Sequence, residues 1–146
     1  MPNVCLVDAQ KGNVSLKLNV DNGGQSAGKF WVWKHDGSNY NPIKKLSGQT
    51  DPNTGEVTVQ TGLSPQDIEN TVMTWKLLSC AKIPSADNLV IKISFYQDTV
   101  KLKTTSDIRY ARDYPQCSTG QALENKGQVT FTLFDLPETS RLWSSM

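Results

Sequence analysis

Apolar and polar residues alternate with a period of two along most of the chain. Val14, Leu16, Leu18 and Val20 are separated by Ser15, Lys17 and Asn19, and the run meets Asp21-Asn22-Gly23-Gly24, a strong turn signal. That pattern predicts a half-buried strand over 14–20. Further strands are predicted over 29–34, 56–61, 71–80, 88–96, 99–104 and 127–134, with Val129, Phe131 and Leu133 pointing inward in the last. Gln97-Asp98 separates two of these runs as a hairpin turn, and Asp51-Pro52-Asn53-Thr54-Gly55 reads as a tight turn before another. With a short first strand over 4–7 and a weak one over 43–46, the total is eight or nine.

Helical signals are sparse. Ser64 suits an N-cap, Pro65 the first helical position and Asp67 the third, so one short turn is expected before β-branched residues resume at Thr71-Val72. A similar turn is expected over 121–126, and the stretch 105–127 reads as the largest loop. Many short strands punctuated by turns imply a single-domain, all-β antiparallel sandwich, jelly-roll or immunoglobulin-like in general form, with at most one or two helical turns. No internal repeat supports a propeller or solenoid.

Composition narrows the function classes. The chain has 146 residues, 37% hydrophobic and 20% charged, enough for one core. Lys and Arg number 15 against 14 Asp and Glu, a balance that makes a nucleic-acid partner unexpected, because such proteins gain affinity by neutralising phosphates. No apolar run is long enough for a membrane-spanning helix. The N-terminal residues carry no secretion signal pattern, which leaves a cytoplasmic protein or a mature exported form. Cys5 and Cys80 sit in apolar stretches and are expected as buried thiols; Cys117, in a Pro/Gly/Ser segment, is expected as the exposed one, with a single disulfide as the alternative.

Motifs that carry chemistry are few. The one histidine, His35, enters a His-Asp-Gly turn, and no nucleophile elbow, phosphate loop or metal-ligand spacing occurs. The 51–56 segment begins like an oxygen-rich calcium loop but lacks its twelfth-position carboxylate, Gly62 standing there, so a structural turn is expected. Neither catalytic residues, metal nor cofactor are assigned. Lys101 and Lys103 are expected to share an outward, edge-protecting face.

Phe30-Trp31-Val32-Trp33 is the most informative run. In a strand Phe30 and Val32 share one face and Trp31 and Trp33 the other; either the indoles fill the sandwich interior, with Phe30 and Val32 under a loop or a subunit neighbour, or the indoles form an exposed aromatic surface. An exposed tryptophan pair supplies rigid amphipathic area for stacking on sugar rings or anchoring a protein. Trp31, Trp33 and Tyr40 are therefore the first candidate ligand-binding residues. Arg109, Tyr110, Arg112 and Tyr114, which put basic and aromatic groups together, are the second set. The leading expectation is a non-enzymatic, lectin-like carbohydrate-binding module that gains strength by homo-oligomerising. The alternatives are a structural or protein-interaction subunit of particle, pilus or toxin-accessory type, with the aromatic patch as its interface, and a small hydrolase with an unmarked site.

Overall fold

The computed structural model describes residues 3–134. Nine strands run in the order β1 (Val4–Asp8), β2 (Val14–Val20), β3 (Gln25–His35), β4 (Tyr40–Gln49), β5 (Glu56–Gln60), β6 (Thr71–Cys80), β7 (Asn88–Gln97), β8 (Val100–Tyr110) and β9 (Leu123–Phe134). One helical turn, α1 (Pro65–Ile68), joins β5 to β6, and two short 3₁₀ turns, Ala111–Asp113 and Cys117–Thr119, lie between β8 and β9. The strands form a five-stranded sheet, β1-β9-β6-β3-β4, and a four-stranded sheet, β5-β2-β7-β8. Only the β1–β9 pair is parallel. The result is an all-β sandwich, and no helix among the described residues is long and apolar enough to cross a membrane.

The inward alternation builds the core. Leu16, Leu18, Ile91, Ile93 and Phe95 of one sheet face Phe30, Val32, Met73, Trp75, Val129 and Phe131 of the other, all buried. Phe95 meets Phe131 edge-on with ring centroids 5.4 Å apart. Burying side chains of this kind stabilises a domain by about 1.5–3 kcal/mol each before entropy is counted.

The turns follow their local chemistry. Asn22 and Gly23 adopt left-handed φ of 52° and 73° in the tight turn that takes the chain from β2 in one sheet to β3 in the other, closed by Gly24 N–H donating to Asp21 O at 3.0 Å. At α1, the Ser64 hydroxyl accepts from the Asp67 N–H at 3.2 Å while the Asp67 carboxylate accepts from the Ser64 N–H at 3.4 Å, a reciprocal capping box. Asp51 accepts from the Asn53 N–H at 2.7 Å, so its carboxylate closes its own turn.

Several expectations are corrected. The weak strand over 43–46 is the ten-residue β4. The loop over 105–127 shrinks to the β8–β9 connection, because β8 continues to Tyr110 against the whole length of β7. The turn expected over 121–126 is instead the start of β9, whose residues Leu123 to Lys126 pair with Ser79 to Lys76. A bulge between Phe95 and Tyr96 makes Leu102 the extra residue, so Lys103 pairs with the inward Phe95 and Lys101 with the outward Tyr96. The two lysines do not share a face.

The cysteines differ most. Cys80 and Cys117 form a disulfide, and only Cys5 is free, buried in the core. The physical reason lies in the chain path. The segment before the second 3₁₀ turn runs beside the end of β6, with Ala81 N–H donating to Pro115 O at 2.9 Å and Cys117 N–H to Ala81 O at 2.8 Å.

Candidate functional site

Strand β3 decides the orientation of the aromatic run. Phe30 pairs with Trp75 of β6 and Leu46 of β4, and Val32 with Met73, so both enter the core and have no exposed surface. Trp31 and Trp33 consequently lie on the outer face of the five-stranded sheet, partly exposed. The alternative in which the indoles fill the sandwich interior is overturned.

The pairing arranges this outer face in rows. Trp31 stands between Lys45 of β4 and Thr74 of β6, and Thr74 pairs with Gln128 of β9. One step towards the β6 C-terminus, Lys29, Lys76 and Lys126 lie side by side on three adjacent strands. One step the other way, Trp33 stands between Pro42 and Val72. A groove of about 590 Å³ runs over Trp31, Trp33, Thr74, Lys76, Lys126 and Gln128, with Gly127 and Trp75 forming part of its lining. A second depression of about 340 Å³ shares Trp33, Thr74 and Gln128 with it and reaches Val72 and Tyr40.

Hydrogen bonds distinguish the two indoles. The Trp33 Nε1–H donates to Thr74 Oγ1 at 2.8 Å, which locks that ring across two strands. The Trp31 Nε1–H has no partner among the described residues and remains free to donate to a ligand. Tyr40 is exposed at the groove's edge, its ring packed edge-on against His35 at 4.8 Å. The turn that carries both is held by Asp36, whose carboxylate accepts from the N–H groups of Asn39 and Ser38 and from the Asn41 amide at 2.8–2.9 Å. Those bonds hold the Asp36 carboxyl down to about pKa 2, the Asn39 bond contributing most. His35 Nδ1 accepts from the Gly37 N–H at 3.1 Å, so the one histidine closes the same turn.

The electrostatics of the face are one-sided. Lys29, Lys45, Lys76 and Lys126 share it with Glu124, which lies 3.5 Å from both Lys76 and Lys126. Neither Lys29 nor Lys45 has an ion-pair partner among the described residues.

The second candidate set does not join this site. Arg109 and Tyr110 lie at the end of β8, in the other sheet, and Arg112 in the 3₁₀ turn that follows it. Arg109 pairs with Asp107 at 3.2 Å, which raises its pKa further, and the Arg112 guanidinium sits 4.6 Å from the Tyr110 ring centroid. Tyr114 is only 2% exposed, a core residue whose hydroxyl accepts from the Asn125 amide at 3.5 Å. Sequence reasoning missed Thr74, Gln128 and the lysine row. The signal lay in the outward positions of β6, where Val72, Thr74 and Lys76 alternate with Met73, Trp75 and Leu77, but their neighbours depend on strand order.

No protein-family model matches the chain, and no curated protein matches it significantly. Two solved structures are similar over most of both chains. One is a domain of unknown function, DUF4425, from Bacteroides vulgatus, at 12% identity over 84% of this chain and 97% of that one, with a TM-score of 0.45. The other is a DUF4425 family protein from Bacteroides ovatus, at 11% identity over 83% and 96%, with a TM-score of 0.44.

Proposed function

We propose that this chain is a non-enzymatic carbohydrate-binding module whose ligand lies across the outer face of the five-stranded sheet, on Trp31 and Trp33. One observation carries the reading: β3 buries Phe30 and Val32 and leaves two neighbouring indoles partly exposed over an open groove. Apolar area of that kind on a solvated sheet face is costly to leave open and characterises binding surfaces. A sugar ring offers an apolar C–H face to an indole and hydroxyls around its rim. Thr74, Gln128 and the free Trp31 N–H surround the rings with hydrogen-bonding groups for that rim.

A glycan array, followed by calorimetric titration of any hit, tests the proposal. Trp31→Ala and Trp33→Ala are expected to weaken binding at least about tenfold, as loss of a central aromatic anchor does. Their stability should fall by only about 1 kcal/mol, as for surface positions. Phe30→Ala, on the inward face, should instead cost about 3–5 kcal/mol. Full glycan binding by the double tryptophan variant would refute the assignment.

A second reading draws on β1, where Val4 and Leu6 are 38% and 53% exposed at the edge of the same sheet. In that reading the face is a subunit interface. Sedimentation across a concentration series separates the two, because an interface buries the indoles only in the assembled species.

A further inference from the structure

We infer that the ligand of this face is an acidic glycan, one whose sugars carry uronate carboxylates or sulfate esters. The inference rests on the carbohydrate reading above and adds the chemistry that the lysines select. Lys29, Lys76 and Lys126 occupy directly paired positions on β3, β6 and β9. Like charges placed opposite one another across strands destabilise a sheet. Strands lie about 4.8 Å apart, so three ammonium stems rise from a row only about 10 Å long. Lys45, beside Trp31 on β4, adds a fourth charge next to the indole row.

The protein relieves little of this repulsion. Among the described residues Glu124 is the one carboxylate paired with the row, shared between Lys76 and Lys126 at 3.5 Å each, and all three side chains are substantially exposed. Exposed pairs of this kind contribute little stability. Four cations against one anion among the described residues leave the patch around Trp31 with a net charge of +3, although the whole chain carries only +1. The excess is concentrated beside Trp31. A neutral sugar stacked on the indoles would leave those charges unanswered, whereas an acidic sugar places an anion against the lysine row while its ring covers the indole.

The same combination of aromatic and basic groups suits single-stranded nucleic acid. The overall charge disfavours that occupant, because a chain at +1 offers almost no long-range steering toward a polyphosphate.

The test compares four probes by titration at low and high salt: a heparin-derived oligosaccharide, an oligogalacturonate, a neutral cello-oligosaccharide and a single-stranded oligothymidylate. At least one acidic oligosaccharide is expected to bind about tenfold or more tightly than the neutral one, and to weaken as salt screens the face. Lys29→Gln/Lys76→Gln should remove that preference while leaving the thermal midpoint unchanged or raised, since it relieves repulsion. Lys92→Gln, on the outer face of the other sheet, should bind as the parent does. Selective loss of the heparin-derived probe in the double variant identifies sulfate as the anion, and selective loss of the galacturonate identifies carboxylate. Equal binding of acidic and neutral probes, lost in Trp31→Ala but not in the lysine variant, overturns this inference and leaves the carbohydrate reading intact. Failure of every glycan overturns both. Tighter binding of the oligothymidylate than of either acidic glycan overturns the inference in favour of nucleic acid.

Discussion

Gly127 pairs with Trp75 across β9 and β6, and the indole lies flat where a side chain at 127 would be. A Cβ added there would stand 2.5 Å from Nε1 and 2.6 Å from both Cε2 and Cζ2. Comfortable contact between such atoms is about 3.5–4.0 Å, so the ring or the strand must yield by about 1 Å. The ring has little room to do so. Trp75 is 7% exposed and lies 6.4 Å from Phe95, itself wedged against Phe131. Overpacking a tight core costs about 1–3 kcal/mol. Against this, replacing glycine in a strand interior gains about 0.5–1 kcal/mol, because the unfolded chain loses freedom. The clash wins, and Gly127→Ala is expected to destabilise by about 0.5–2 kcal/mol in urea unfolding followed by far-ultraviolet circular dichroism. In a Trp75→Leu background the indole is gone and the same substitution should turn neutral or stabilising. A stabilised Gly127→Ala protein would refute the reasoning. So would an equal cost in both backgrounds, which would locate the penalty in the backbone.

The native protein should offer no rapidly reacting thiol, because Cys80 and Cys117 are paired and burial pushes the Cys5 thiol up to about pKa 12. Unfolding without reductant should release one thiol equivalent and with reductant three, and reduction should cost about 3–4 kcal/mol for a sequence separation of 37; a fast-reacting native thiol would refute the pairing or the burial. Asp36, held near pKa 2 by the N–H groups of Asn39 and Ser38, lies below its unfolded value of about 4, so its contribution to stability is full above about pH 4 and is lost as pH falls through about 2. A carboxyl-carbon NMR titration should show that midpoint, and a midpoint near 4 would mean the turn before Tyr40 is open.

The strands most legible in the sequence are those with one wet and one dry face. β2 and β6 alternate strictly along their length, and their observed bounds coincide with the predicted ones. The two strands of which less than half was predicted, β4 and β8, lie at sheet edges. The register places Lys103, Thr105, Asp107 and Arg109 of β8 on the inward face, where an apolar residue would be expected of an inner strand. Charged inward positions protect an edge from pairing with other chains, and they erase the period that prediction relies on. β4, at the edge of the other sheet, is mostly exposed for the same reason. The disulfide was hidden differently. Nothing in the residues around Cys80 and Cys117 reports that the connection after β8 folds back along β6. For the aromatic run, alternation showed that the two faces differ, but which one is core was set by Trp75, Met73 and Leu46 on neighbouring strands.

The two outward faces of the sandwich bear on what the aromatic face is for. On the four-stranded sheet the paired outer positions read Gln60, Ser15, Tyr96 and Lys101; then Thr58, Lys17, Ser94 and Thr104; then Glu56, Asn19, Lys92 and Ser106. Each lysine there stands among neutral or acidic neighbours, and Lys17 reaches Glu56 at 3.7 Å. The Ser94 and Thr104 hydroxyls bond to each other at 3.0 Å. The remaining outer pairs on that face are Val90 with Ile108 and Asn88 with Tyr110, and Ile108 and Tyr110 are exposed there. The five-stranded sheet brings two features together in one patch, two partly exposed indoles and three lysines in direct cross-strand register. Each works against folding, the first through apolar area left in water and the second through repulsion. The lysine row is not forced by the fold, since the opposite sheet has no such row. The acidic glycan proposed above would cover the indoles and neutralise the lysines, and so answer both costs at once.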